Sequence, residues 1–305
     1  MKVRANLKVD STTLSYLLLA MSSAIWAGNF VVARAMHGDI PPLTLNFYRW
    51  GVALIVLAPF AIRSVIADWP VLRQHLKWLL ALTMSGVVLF HSFVYTALQT
   101  TTAINAGLMI AVIPIFIPGV AWVIHRDRPT ARQMAGIVAS IAGVLVIISR
   151  ADLDVLASLT FQAGDLWMLA AVAMWAFYSV ILKDRPDGVS AKTLVVSIAG
   201  AGVVLTAPLY LWELGRGLTM DINVANLVTI GYVAVFASIV AYFAWNRGVA
   251  EIGSIRAGPF LHLLPVFSAL LAMAFLGERV EIFHIPGVAL IVTGIWLATR
   301  SDHES

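Results

Sequence analysis

Of the chain's 305 residues, 60% are hydrophobic and only 12% charged; an ordinary soluble domain carries roughly 25% charged residues, so a water-soluble fold does not fit. The net charge of +4 comes from basic residues scattered over short connections, without a stripe or an aromatic-interleaved patch, which argues against a nucleic-acid partner. Zero cysteines exclude disulfides and thiolate metal sites.

A bilayer core about 30 Å thick needs roughly 20 helical residues to cross it. Ten apolar stretches meet that need, predicting helices over 13–36, 43–63, 77–98, 102–124, 131–149, 163–183, 190–212, 225–246, 254–275 and 281–299. Lys2, Arg4 and Lys8 ahead of the first stretch imitate a secretory leader, but its apolar part is longer than a leader core of about 7 to 15 residues, and it has a counterpart around Trp175. It is read as helix one. Turn residues separate the others, as in Asp39-Ile40-Pro41-Pro42, Asp127-Arg128-Pro129, Arg185-Pro186-Asp187-Gly188 and Gly215-Arg216-Gly217.

The first five stretches reappear in the second five. At an offset of 149, Trp26 aligns with Trp175, Thr44 with Thr193, Gly51 with Gly200 and Ala58-Pro59 with Ala207-Pro208. At 151, Ala106, Gly107 and Pro114 align with Ala257, Gly258 and Pro265, and Arg128, Gly136 and Gly143 with Arg279, Gly287 and Gly294. The halves are 1–150 and 151–305. Because five is odd, the second copy starts from the opposite side, predicting an all-α integral membrane fold of two inverted five-helix repeats around a central cavity. Lys and Arg counted over the connections set the orientation. With the amino terminus inside, Lys2, Arg4, Lys8, Arg63, Arg73, Lys77, Arg126, Arg128, Arg132, Lys183, Arg185, Lys192, Arg247, Arg256 and Arg300 face the cytoplasm; Arg34, Arg49, Arg150, Arg216 and Arg279 face out. Both termini are therefore expected in the cytoplasm.

All Asp and Glu residues fall in loops or at span ends, so no carboxylate is placed at mid-depth, where cation-coupled pumps often carry one. The polar and aromatic residues concentrate instead in a few helices. Helix one has Ser22, Trp26 and Asn29; helix three has His91, Tyr95 and Gln99; helix six has Trp175, Tyr178 and Ser179; helix eight has Ser238, Tyr242 and Trp245; helices four and nine add Asn105, Pro114, Pro118, His262 and Pro265. Polar groups facing lipid would lack partners, so these helices are expected to line the cavity. Trp26, Asn29, His91, Tyr95, Trp175, Tyr178, Ser238, Tyr242 and His262 are the candidate substrate-binding residues, although a helix-bundle histidine also serves by bonding a neighbouring carbonyl, and a tryptophan by filling space. Trp69, Trp78, Trp122, Trp212 and Trp296, near span ends, read as interfacial anchors. Arg49, about six residues inside helix two, either snorkels to the interface or meets a substrate carboxylate at the outer vestibule. Gly136 and Gly143, repeated as Gly287 and Gly294, form small-residue faces suited to close packing within the chain or in a dimer. The mates Pro114 and Pro265 each remove a backbone hydrogen bond, marking either a pair of hinges or static kinks.

Several strings together resemble the ten-helix EamA-type branch of the drug/metabolite transporter superfamily: Ile25-Trp26-Ala27-Gly28-Asn29-Phe30, Phe47-Tyr48-Arg49-Trp50, Trp245-Asn246-Arg247-Gly248-Val249, and Leu264-Pro265-Val266-Phe267 through Leu276-Gly277-Glu278-Arg279. The resemblance spans essentially the whole chain. It implies a multi-pass exporter of small metabolites in the bacterial cytoplasmic (inner) membrane, most similar to exporters of neutral and aromatic amino acids, working by alternating access without a cofactor, as a monomer or weak homodimer. Trp26, Trp175, Tyr95, Tyr178 and Tyr242 would stack on an apolar side chain while His91 and Asn29 hydrogen-bond its zwitterion. The central glutamate of the small four-helix multidrug relatives has no counterpart here, which speaks against cationic drug antiport. Efflux of a nucleoside, nucleotide sugar or drug-like compound is the alternative. A membrane-embedded enzyme is remote, since the chain has no Gly-x-Ser-x-Gly, no His-Glu-x-x-His and no intramembrane Asp pair.

Overall fold

The computed structural model describes residues 10–36, 38–276 and 281–300; Lys2, Arg4, Lys8 and Arg279 of the charge count, and Gly277 to Arg279 of the last motif, lie outside them. Among the described residues every regular element is helical. The helices are α1 (Ser11–Ala35), α2 (Pro42–Leu72), α3 (76–100), α4 (103–125), α5 (Ala131–Ser149), α6 (Ala163–Ile181), α7 (Ala191–Gly215), α8 (Val224–Ile252), α9 (254–276) and α10 (His284–Thr299). A five-residue helix, Leu153–Ala157, sits in the connection between α5 and α6.

Eight stretches are long and apolar enough to cross a bilayer. One of them, Pro42–Thr100, runs for 59 residues and holds both α2 and α3, joined by a tight turn at Arg73–His75. Its fold-back is plain from Asn46, whose Nδ2 lies 3.1 Å from Ser92 Oγ; along a straight helix those residues would be roughly 69 Å apart. α10, with 16 residues, is the shortest of the ten. Large apolar side chains such as Phe60, Ile66, Val138, Val204 and Ile285 point outward around the bundle. Water would not tolerate so much exposed apolar surface, whereas acyl chains require it. Trp69, Trp122, Trp212 and Trp296 are exposed at helix ends, while Trp78 turns inward and donates to Ile181 O at 2.8 Å.

Two antiparallel contacts brace the bundle. α2 and α7 lie side by side with a carboxylate from each capping the other: Glu213 accepts from the amides of Leu43 and Thr44, and Asp68 accepts from Ser190 N and Thr193 Oγ1. A helix start leaves unpaired N–H groups and partial positive charge, which a carboxylate satisfies together. α5 and α10 meet through their glycines. A Cβ on Gly136 would lie 2.5 Å from Gly294 O, and one on Gly143 would lie 2.5 Å from Gly287 O, so the two backbones touch. The small-residue faces are therefore consumed inside the chain.

α3 and α8 share a departure from ideal geometry. Met84–Leu89 and Val233–Val240 are wound as π-helix, the wider turn that leaves carbonyls free and recurs at functional sites. Both occur in corresponding helices of the two halves, and both face the centre of the bundle.

Candidate functional site

The freed carbonyls of the two π segments organise the centre. Asn46 Nδ2 donates to Val87 O at 3.2 Å and Val88 O at 3.3 Å, His91 Nδ1 lies 3.2 Å from Val87 O, and the Tyr242 hydroxyl donates to Gly86 O. On the α8 side, Ala237 O accepts from Trp26 Nε1 and from Arg49 Nη2, each at 3.0 Å. Gly86 is obligatory here, since a Cβ would lie 2.1 Å from the Tyr178 ring. Buried backbone acceptors would otherwise cost about 1–3 kcal/mol each.

Around this frame the aromatic rings form one cluster. Trp26 meets Trp175 edge to face at 5.0 Å, Tyr242 at 6.0 Å and Trp245 at 5.6 Å; Trp175 stacks on Tyr178 at 5.1 Å and meets Phe90 at 4.7 Å; Trp50 meets Tyr242 at 5.0 Å and His91 at 5.9 Å. Such pairs add about 0.5–1.5 kcal/mol each beyond area burial. The Tyr178 hydroxyl donates to Asn246 Oδ1 at 2.7 Å.

Arg49 is the hub, and it does not reach for the interface. Its side chain is wholly buried; Nε donates to Ser238 Oγ at 2.5 Å, Nη1 to the Tyr95 hydroxyl at 2.7 Å, and its guanidinium lies 5.6 Å from the Trp50 ring centroid. Tyr95 in turn donates to Asn29 Oδ1 at 3.4 Å. The site thus brings together Trp26, Asn29, His91, Tyr95, Trp175, Tyr178, Ser238 and Tyr242. His262 stands apart, with Nδ1 2.6 Å from Ser140 Oγ and Nε2 2.9 Å from Ala111 O, bracing α9 against α4 and α5. Arg49 lies in the centre and not at the interface or the outer vestibule that its position in helix two suggested, and Trp50 and Asn246 join the site although only the family motifs drew attention to them. The signal for Arg49 was its depth, since a guanidinium 9 Å or so down a helix needs partners wherever it points.

A chamber of about 580 Å³ opens beside the cluster, lined by residues of α1, α3, α4, α5 and α9, among them Phe30, Leu98, Gly107, Ile148, Pro265 and Ser268, with Arg150 at its edge. A second cleft of about 20 Å³ shares Phe30, Ile110, Leu261 and Leu264 with the chamber and is also lined by Asn29, His91, Trp26 and Trp175. The lining departs from expectation in two ways. α5 supplies Ile147 and Ile148, although its composition gave no sign of it, and α8 lies behind the rings rather than on a cavity wall. Ile147 and Ile148 are aliphatic, which suits the wall of an apolar chamber.

The two prolines each follow a helix break. Pro114 is the second residue of Ile113–His125, after an interruption at Ala111 and Val112; Pro265 is the third residue of Leu263–Leu276, after the 3₁₀ turn Gly258–His262. Their surroundings differ. A Cβ on Gly258 would lie 3.2 Å from Ile117 and 3.5 Å from Pro114, whereas the aligned residues Gly107, Pro265 and Ser268 line the open chamber. Beyond the packed side, Lys183 pairs with Asp127 and His125 with Asp184, both at 2.8 Å, tying the ends of α4 and α6. Among the described residues no group of three or more His, Asp or Glu is placed to hold a metal ion.

A bundle of membrane-crossing helices with a polar, aromatic centre and a chamber beside it fits the architecture of a solute transporter. The pattern of the EamA-like transporter family matches residues 13–149 and 162–300, and the chain belongs to that family. It is a multi-pass membrane transporter and not an enzyme. Among its relatives, an uncharacterized transporter of Archaeoglobus fulgidus is 28% identical, covering 95% of this chain and 99% of the relative. An uncharacterized transporter of Bacillus subtilis is 25% identical, covering 93% of each. A protein of Salmonella typhimurium called a probable amino-acid metabolite efflux pump is 25% identical, covering 90% of each. One crystal structure shares the fold with a TM-score of 0.71 at 19% identity, covering 95% of this chain and 97% of that one.

Proposed function

We propose that the protein exports neutral amino acids, bulky and aromatic ones foremost, across the bacterial inner membrane by alternating access. Its halves, 1–150 and 151–305, act as inverted repeats with both termini in the cytoplasm, so that the chamber faces out and the packed side faces in. The antiparallel seating of α2 on α7, and of the α5 glycines on those of α10, supports the inverted arrangement.

One observation carries the mechanism: Gly258 is packed on Pro114 and Ile117, while the aligned Gly107, Pro265 and Ser268 border an open chamber. The same two-helix contact is made on one side of the aromatic cluster and unmade on the other. Exchanging the two arrangements, with the breaks before Pro114 and Pro265 as hinges, moves the opening from one face to the other. The apolar chamber and the rings of Trp26, Trp175, Tyr178 and Tyr242 suit an apolar side chain; Asn29, His91, Tyr95 and Ser238 suit its polar end, and His262 steadies α9. The Salmonella relative's description as an amino-acid metabolite efflux pump agrees with this cargo class.

Counterflow in proteoliposomes loaded with unlabelled amino acid, using labelled Phe, Met and Thr with and without a pH gradient, tests the reading. Phe and Met should exchange faster than Thr. Absence of exchange for all three would remove the amino-acid reading, and a rate that follows the pH gradient would identify proton coupling.

A further inference from the structure

The centre of the bundle holds a positive charge that no carboxylate among the described residues balances. Arg49 is wholly buried and forms no ion pair among the described residues; its three hydrogen bonds go to a serine hydroxyl, a tyrosine hydroxyl and a backbone carbonyl, all neutral. The two buried carboxylates among the described residues are engaged elsewhere. Asp165 is held by Thr101, Asn105 and Gln162 N, and Glu213 by Leu43 and Thr44. A buried cation without a counter-ion is costly, and such residues mark pathways for ions and charged solutes.

A second observation points to the same ligand. Trp175 is buried, its ring lines the small cleft, and its Nε1–H has no hydrogen-bond partner. An unpaired buried donor on the wall that also carries Asn29, the partner of the Arg49-bound Tyr95, calls for an acceptor with negative charge.

We infer that Arg49 selects cargo by its carboxylate: it polarises the Tyr95 hydroxyl, which is bonded to Asn29 on the cleft wall, and a carboxylate entering the cleft takes the place of Asn29 on that hydroxyl and accepts from Trp175 Nε1–H. The distances describe the relay. Arg49 Nη1 donates to Tyr95 at 2.7 Å, and Tyr95 makes only a long bond, 3.4 Å, to Asn29 Oδ1, which a carboxylate oxygen replaces. The cleft, about 20 Å³, is too small for an apolar side chain, so that part of the cargo lies in the chamber that shares four of the cleft's lining residues. Arg49 is a positioning residue, acting through Tyr95. Cargo bearing only an ammonium is repelled by the same charge. This assignment rests on the exporter reading for its cargo class, but its core, an anion-selective centre, is testable without transport.

The experiment measures binding to the full chain in detergent by quenching of tryptophan fluorescence, with two probes of equal aromatic bulk: 3-phenylpropionate, a carboxylate without an ammonium, and phenethylamine, an ammonium without a carboxylate. The wild type should bind phenylpropionate at least about tenfold more tightly than phenethylamine. Arg49→Gln should erase that preference, Arg49→Lys should retain part of it, and Trp175→Phe, which keeps an aromatic ring but removes the N–H, should weaken phenylpropionate alone. Equal binding of the two probes by the wild type, or a preference unchanged in a folded Arg49→Gln protein, would overturn the assignment. If Arg49→Gln does not fold, the wild-type comparison and Trp175→Phe decide. Carboxylate preference without Phe exchange in vesicles would sink the amino-acid exporter reading and leave this one standing; Phe exchange with no carboxylate preference would do the reverse.

Discussion

Glu213, in the last turn of α7, holds both the backbone amide of Thr44 at 2.7 Å and its hydroxyl at 2.8 Å, in the first turn of α2. A third bond, from Leu43 N at 3.0 Å, completes the cap of a helix whose own N-cap, Pro41, offers no side-chain acceptor. Glu213→Ala leaves buried amides unpaired and should destabilise the protein by about 1–3 kcal/mol, with Glu213→Gln intermediate. Thermal unfolding of the purified variants in detergent reads the order. A melting point equal to wild type in Glu213→Ala would mean that the clasp contributes nothing.

The glycine contact between α5 and α10 makes a sharper test because a control is built into the chain. Gly136→Ala drives a methyl into Gly294 O and should cost about 1–3 kcal/mol. Gly119, also helical, has nothing within 4 Å of an added Cβ, and Gly119→Ala should be neutral or slightly stabilising by helix propensity. Parallel melting curves of the two variants check it.

Gly86→Ala puts a methyl against the Tyr178 ring and disturbs the carbonyl that receives Tyr242. Loss of transport should exceed loss of stability, since the displaced rings belong to the cluster. Rates in vesicles, normalised to folded protein by size-exclusion chromatography, separate the two; a fully active variant would place Tyr178 and Tyr242 outside the cargo route.

Trp175→Ala removes the ring that touches Trp26, Phe90, Tyr178, Tyr242 and Trp245. Exchange of Phe should fall about tenfold further than exchange of Thr, the scale on which apolar pockets discriminate. Equal slowing of both cargoes would reduce Trp175 to packing.

The chain lacks cysteine, so single-cysteine variants report without background. Ser268 borders the chamber, and its aligned partner Ile117 is wholly buried. Ser268→Cys should react with a membrane-impermeant maleimide added outside, Ile117→Cys should not, and saturating cargo should slow the first reaction. Reaction of Ser268→Cys only from the cytoplasmic face would invert the proposed orientation. Pro265→Ala with an unchanged transport rate would likewise remove the proposed hinge.

Which residues would meet in the centre was partly legible beforehand. Trp26, Asn29, His91, Tyr95, Trp175, Tyr178, Ser238 and Tyr242 stand out because polar and aromatic side chains inside apolar helices are few, and lipid offers them no partners. Arg49 and Glu213 show the limit. A charge near a span end looks the same in one dimension whether it snorkels outward or turns inward, and only the rotation of α2 about its axis aims Arg49 at Ser238 and Tyr95. The π turns of α3 and α8 escape a reading based on a 3.6-residue period, because they change that period locally.

The helical class, membrane residence and the kinship of the two halves were set by the amino-acid sequence itself, because the length and hydropathy of a helix are local properties, and recurring identities need no coordinates. The chamber on one side, the packed contact of Gly258 with Pro114 on the other, and the burial of Arg49 among neutral partners at the centre belong to the tertiary structure. They depend on how helices far apart in the chain are turned and seated against one another, and close packing between such helices decides this jointly rather than residue by residue.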